Sequence, residues 1–114
     1  MSPITTHVLD TSQGHPAAGV TVTLAKLSDA GEWHDLAAGI TNKDGRITDL
    51  LPADSALEQA IYRLTFATGA YFDTYDMQGF YPFVPIIFEI RHPEQHYHVP
   101  LLLNPYGYST YRGS

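Results

Sequence analysis

The segment His96-Tyr97-His98 carries the clearest chemical pattern in the sequence. Side chains two residues apart on a β-strand point to the same face, so the two imidazoles can face one site. Imidazole titrates close to neutral pH, which suits both acid–base chemistry and metal binding. A metal site needs a third ligand, which this segment does not supply. By itself, the pair is therefore typical of a polar strand end.

His7 and Arg46 indicate chemistry only in combination with other residues. His7 lies among the threonine and apolar residues of positions 5–9, where a histidine is usually hydrogen-bonded and partly buried. Arg46 follows Asp44-Gly45 at the start of a predicted strand, a place where arginine usually solubilises the surface. Neither residue alone predicts an activity.

The C-terminal residues 106–114 read YGYSTYRGS, a run rich in aromatic and hydroxyl side chains. The ends of protein chains are usually poorly ordered. Because this run is aromatic rather than of the polar composition common at chain ends, we expect it to form a strand that packs, either as an aromatic edge strand or against another subunit.

The elements that must position these residues are short β-strands. Apolar and polar residues alternate in short runs that Gly, Pro, Asn and Asp separate. Strands are predicted at residues 4–10, 20–27, 33–41, 46–49, 61–67, 84–91, 95–103 and 106–112, and residues 12–16 are predicted to form a turn. One short helix is expected near residues 69–76, where alternation is absent. The pattern predicts a single all-β domain over residues 1–114, folded as a two-sheet antiparallel sandwich.

The composition limits the classes of protein to which the chain can belong. A formal net charge of −6, with only six scattered Lys and Arg residues, argues against a nucleic-acid-binding surface. No segment approaches the roughly 20 apolar residues of a membrane span. The absence of cysteine excludes disulfides and thiolate ligands. Residues 1–7 lack the basic region and apolar core of a signal peptide, so we expect a cytoplasmic protein.

Six segments together resemble the transthyretin-related 5-hydroxyisourate hydrolases, in order and without evident gaps from residue 4 to residue 114. They are TTHVLDT at 5–11, GHPAAGV at 14–20, TNKDGR at 41–46, GFYP at 79–82, HYHVPLLL at 96–103 and YRGS at 111–114. The terminal YRGS is the most specific of them, because it resembles the signature of this family and differs from the ending of transthyretin itself.

The resemblance implies a transthyretin-like (prealbumin) sandwich of about eight strands. Such domains pair edge to edge into dimers, and two dimers stack into a homotetramer whose central channel holds the active sites. The implied substrate is 5-hydroxyisourate, hydrolysed to 2-oxo-4-hydroxy-4-carboxy-5-ureidoimidazoline in urate breakdown, with no metal and no organic cofactor. The implied site comprises His7, Arg46 and His98 as catalytic residues and Tyr111, Arg112, Gly113 and Ser114 as substrate-binding residues.

Strand parity agrees with this site. His98 shares a face with Leu102, Tyr111 with Gly113, and His7 with Leu9. If these faces form one channel wall, the opposite faces pack the core. His96 would lie beside His98, and the family motif makes His98 the functional residue of the two.

Ring opening by water needs a base to deprotonate the water and a donor to stabilise the oxyanion. We expect His7 to activate the water, His98 to orient the substrate or to move the proton, and Arg46 to bind the planar heterocycle. The residue types alone leave the choice of base between the two histidines open.

Three other interpretations remain. The chain could be a carrier of small aromatic ligands in the channel, although His7, Arg46 and His98 would make that channel polar. It could be a metal-dependent hydrolase that uses His7, His96 and His98, which a chelator would inactivate. It could also be a purely structural sandwich module, but that function would not explain why polar residues occur at the presumed interface, where buried polar groups need partners.

Overall fold

The computed structural model describes residues 1–114 and contains nine strands and one helix. In chain order they are β1 (Ile4–Asp10), β2 (His15–Pro16), β3 (Thr21–Leu27), β4 (Trp33–Ile40), β5 (Arg46–Ile47), β6 (Ala60–Phe66), α1 (Thr68–Asp73), β7 (Val84–Ile90), β8 (Tyr97–Asn104) and β9 (Gly107–Thr110). The predicted all-β sandwich with one short helix is confirmed. The helix has six residues, far fewer than the roughly 20 of a helical membrane span.

Two sheets form the sandwich. One has the order β2-β1-β8-β9, with β5 paired to β1 as well, and the other has the order β4-β3-β6-β7. All neighbours are antiparallel except β1 and β8, which run parallel over their full shared length. The predicted two-sheet antiparallel sandwich therefore includes one parallel pair. No hairpin joins β1 to β8, so no turn imposes an antiparallel arrangement on them.

Strand β2 is an element that the sequence did not predict. Gly14 has a φ of 73°, a left-handed conformation that glycine adopts readily, and it reverses the chain after β1. His15 and Pro16 then pair with Asp10 and Leu9. Two residues are too few to show an alternating pattern, and residues 12–16 have the composition of a turn, so the sequence predicts a turn here rather than a strand.

The core lies between the inward faces of the two sheets and contains twenty buried apolar residues. In β8 every second residue, from Tyr97 to Leu103, is buried. Each fully buried leucine or valine of such a face stabilises the fold by roughly 1.5–3 kcal/mol. The alternation leaves His98 on the outward face, at the position where the sequence predicts a functional residue.

Asp10 is the one carboxylate that the core encloses, and it is fully hydrogen-bonded. It accepts hydrogen bonds from Ser12, from Gln13 and, at 2.7 Å, from the hydroxyl of Tyr71 in α1. Burial acts to raise the pKa of Asp10, but these hydrogen bonds outweigh burial and lower it. Burial and the Asp10 carboxylate raise the pKa of Tyr71, so its hydroxyl remains a donor. The pair anchors the short helix to the end of β1.

Candidate active site

Three adjacent strands bring the predicted catalytic residues together on the outward face of one sheet. In the register, Arg46 of β5 is opposite His7 of β1, and Thr5 of β1 is opposite His98 of β8. Neighbouring strands lie about 4.8 Å apart, and residues two apart on β1 share a face. Arg46, His7, Thr5 and His98 therefore occupy one contiguous patch.

A tight turn at residues 42–45 places Arg46 beside His7. The side-chain oxygen of Asn42 accepts hydrogen bonds from the backbone nitrogens of Asp44, at 2.9 Å, and Arg46, at 3.0 Å. Gly45 has a φ of 73°, and its carbonyl accepts a hydrogen bond from the backbone of Val8 at 2.7 Å. A Cβ atom at Gly45 would collide with the Val8 carbonyl, so glycine is required there.

The Thr5 hydroxyl lies between two imidazoles. Its Oγ1 is 2.8 Å from Nδ1 of His98 and 2.9 Å from Nε2 of His96, and the residue is almost wholly buried. Both distances are those of good hydrogen bonds. Because Nδ1 of His98 is occupied in this way, Nε2 is the only nitrogen of that ring left for a substrate.

The electrostatics of the patch favour neutral imidazoles. Burial, and then the Arg46 guanidinium, lower the pKa of His7, while the backbone and carboxylate of Asp44 act in the opposite direction. Burial, followed by Arg46, His7 and His96, lowers the pKa of His98. A neutral imidazole has a free lone pair and can accept a proton, so both rings are suited to act as bases at pH 7.

The chain terminus packs against His98. The backbone nitrogen of Gly113 donates to the His98 carbonyl at 2.8 Å, and the two residues form an isolated bridge. A Cβ atom added to Gly113 would lie only 2.5 Å from Cδ2 of His98. The imidazole ring is therefore in close contact with the backbone of the terminal segment, and only glycine leaves room for it.

The side chain of Arg112 points away from this patch. It donates to the Gln95 side chain at 3.0 Å and to the His96 carbonyl at 3.3 Å, and its guanidinium lies 4.4 Å from the centre of the Tyr97 ring. Arg112 thus holds the segment that leads into β8. Its predicted contact with substrate stays a prediction.

A cavity of about 210 Å³ opens on the patch, with mainly polar lining residues: Met1, Thr5, Thr6, Arg46, Thr48, His96, His98 and Ser114. Of the predicted site residues, Arg46, His98 and Ser114 line it, while His7 lies next to Arg46 in the register. Tyr111 and Arg112 instead line a larger cavity of about 550 Å³ beside β7, which His98 also reaches. Tyr111 is 60% exposed there, so its predicted role also stays a prediction.

Five lining residues were missed or ranked low from the sequence: Met1, Thr5, Thr6, Thr48 and His96. Thr5 did carry a signal, because it is two residues before His7 and so shares its outward face. His96 precedes His98 by two residues and so shares its face, but the family motif favours His98 as the catalytic residue. No group of three or more His, Cys, Asp or Glu side chains is arranged to hold a metal ion.

Comparisons with known proteins find relatives over almost the whole chain. A model described as the HIUase/Transthyretin family matches residues 4–113. A 5-hydroxyisourate hydrolase of Salmonella typhimurium is 47% identical over 111 residues, which cover 97% of this chain and 80% of that protein. The solved structure of Klebsiella pneumoniae 5-hydroxyisourate hydrolase matches with a TM-score of 0.84 and 39% identity, covering 97% of this chain and 98% of that one. Sea bream transthyretin in complex with thyroxine matches with a TM-score of 0.90 and 30% identity, covering 97% and 94%.

Proposed function

This chain belongs to the HIUase/transthyretin family, and we propose that it is an enzyme that hydrolyses 5-hydroxyisourate. The observation that carries the proposal is the polar cavity in which Arg46 and His98 meet beside His7. The 47% identity to a protein named for this activity supports the choice of substrate. A carrier of apolar aromatic ligands would need a mainly apolar pocket, and Met1 is the single apolar residue lining this one.

In the proposed reaction a water molecule adds to a ring carbonyl of the substrate. His7, neutral because burial and Arg46 lower its pKa, takes a proton from the water as the oxygen attacks the carbonyl carbon. The carbon–nitrogen bond of the ring then breaks as His7 gives its proton to the leaving nitrogen, and the new carboxylic acid loses its proton to His98, leaving a carboxylate and an N–H group. Nε2 of His98 orients the substrate and exchanges a proton with it.

Arg46 supplies the positive charge of the site. Its guanidinium is positively charged and presents several donors in one plane, which suits a flat heterocycle with carbonyl oxygens. We propose that it stabilises the oxyanion that forms when water adds, a contribution of about 10²–10³-fold in comparable sites. Ser114, which lines the same cavity, offers a hydroxyl group to the substrate.

We propose that the protein acts as a homotetramer, a dimer of dimers. The outer edges of β7 and β9 have no neighbouring strand, and edges of this kind are suited to pairing with another copy. The patch lies on the outward face of its sheet, so a second copy stacked there would place the site in a channel between the two copies. A place in urate breakdown and a cytoplasmic location also belong to this proposal.

The direct test follows the ultraviolet absorbance of 5-hydroxyisourate generated in place by urate oxidase. We expect the protein to accelerate its decay, with or without a chelator, and expect His98→Ala to abolish the acceleration. His34→Ala is the matched control, because its exposed side chain lies in the other sheet. A folded protein that leaves the spontaneous rate unchanged would refute the proposal and favour a carrier. Inactivation by the chelator would favour the metal-dependent enzyme.

A further inference from the structure

The hydroxyl of Thr5 connects two imidazoles that differ in burial. Both rings line the cavity, but His98 is half-buried whereas His96 is exposed. The only atom between their nitrogens is Oγ1 of Thr5, at 2.8 and 2.9 Å. A continuous chain of two hydrogen bonds therefore runs from the half-buried ring of His98 to the exposed ring of His96.

A hydroxyl group has one proton and two lone pairs, which gives this chain a direction. When Nδ1 of His98 donates to Oγ1, the Thr5 hydroxyl can donate to Nε2 of His96. Nε2 of His98 is then unprotonated and free to accept a proton in the site. In this direction of the chain, His98 has the tautomer that a base requires.

The charges around the two rings give a proton a reason to leave His98. Arg46 on β5, His7 on β1 and His96 before β8 are the charged or titratable groups that face His98, and burial and all three lower its pKa. Arg46 is always positive, so a second positive charge on His98 is destabilised. His96 is exposed to water, which solvates a positive charge.

We propose that Thr5 is a positioning residue that passes the proton gained by His98 outward to His96. This rests on the proposed function, in which His98 exchanges a proton with the reactants. The proton enters at Nε2 of His98; the Nδ1 proton then moves to Oγ1 of Thr5 as the hydroxyl proton moves to Nε2 of His96. One positive charge passes from the first ring to the second, the Thr5 hydroxyl keeps one proton while its two hydrogen bonds reverse direction, and His96 releases a proton to solvent.

The test compares Thr5→Val, which keeps the shape but removes the hydroxyl, with Thr5→Ser, which keeps the hydroxyl. We expect Thr5→Val to lower kcat by about tenfold or more with KM changed less than about twofold, since positioned proton transfer commonly contributes 10²–10⁴-fold. Thr5→Ser should restore most of kcat. Added imidazole buffer should accelerate Thr5→Val but not the unaltered enzyme, because a small base can replace a broken relay.

His96→Gln tests the outer end of the relay independently of any folding defect at the buried Thr5. Glutamine can hydrogen-bond to Thr5 but cannot take up the proton, so we expect the same loss of kcat and the same rescue by buffer. His34→Gln, exposed on the other sheet, is the matched control and should retain full activity. Unchanged kcat in His96→Gln, or a loss that buffer does not restore, would overturn the relay. An inactive unaltered protein would instead overturn the proposed function.

Discussion

Replacing Gly113 with alanine should displace the imidazole of His98 and so reduce activity. The added Cβ atom would lie 2.5 Å from Cδ2 of His98, whereas two carbon atoms are comfortable at about 3.5–4.0 Å. The ring must therefore move by about 1 Å, and Pro100, with Cγ only 3.2 Å from the same Cβ, blocks the terminal segment from shifting the other way. A displacement of this size at a catalytic group costs about 100-fold in rate, or about 2.7 kcal/mol in transition-state stabilisation.

The measurement is kcat/KM from the decay of 5-hydroxyisourate absorbance, with thermal unfolding recorded on the same sample. Gly107→Ala is the matched control, because the nearest atom to its added Cβ, Oδ1 of Asn104, lies at an ordinary 3.7 Å. We expect Gly107→Ala to keep kcat/KM within about twofold, as surface changes usually do. If Gly113→Ala were as active as the unaltered enzyme, the reasoning that the terminal backbone fixes the His98 ring would be refuted.

Two further predictions concern stability and pH. Tyr71→Phe removes a hydrogen bond to the enclosed Asp10 carboxylate, so the free energy of unfolding measured by urea denaturation should fall by about 1.5–3 kcal/mol. In the control Tyr106→Phe, at a side chain that is 75% exposed, the free energy of unfolding should stay the same. An unchanged urea midpoint in Tyr71→Phe would contradict the anchoring role of the pair. Because the pKa values of His7 and His98 are lowered, kcat/KM should stay high below pH 6.5 and fall only as the pH drops through the lowered values. In Arg46→Gln the acid limb of the residual activity should move to higher pH, since the charge that lowers both values is gone; a limb that does not move would argue against this coupling.

The sequence predicted most of the fold because alternation is a local property. The bounds of β1 were predicted to the residue, and those of β7 and β8 to within one or two residues. The burial of every second residue in β8 leaves His98 outward, as its parity predicted. The two-residue β2 escaped prediction because no period can be read from two residues.

The internal geometry of the site could not be predicted in the same way. The contact of Thr5 with His98 joins residues 93 positions apart, and it depends on the parallel register of β1 and β8, which no local pattern encodes. The same holds for the side chain of Arg112, whose direction is set by Gln95 and Tyr97. The resemblance to a family indicates which residues form the site, but only the register of the strands shows which residues contact them.

The parallel pairing of β1 with β8 has a consequence for the protein during its synthesis. β1 is synthesised before β8, yet the two strands pair residues more than 90 positions apart, and the Gly113 contact with His98 forms later still. Contacts this distant along the chain form slowly, and until they form β1 exposes an unpaired edge. A nascent chain that has not yet reached β8 therefore lacks the pairing that brings Thr5 to His98, and it needs protection from aggregation for that interval. A stalled or prematurely terminated product would lack both the site and the partner of its first strand.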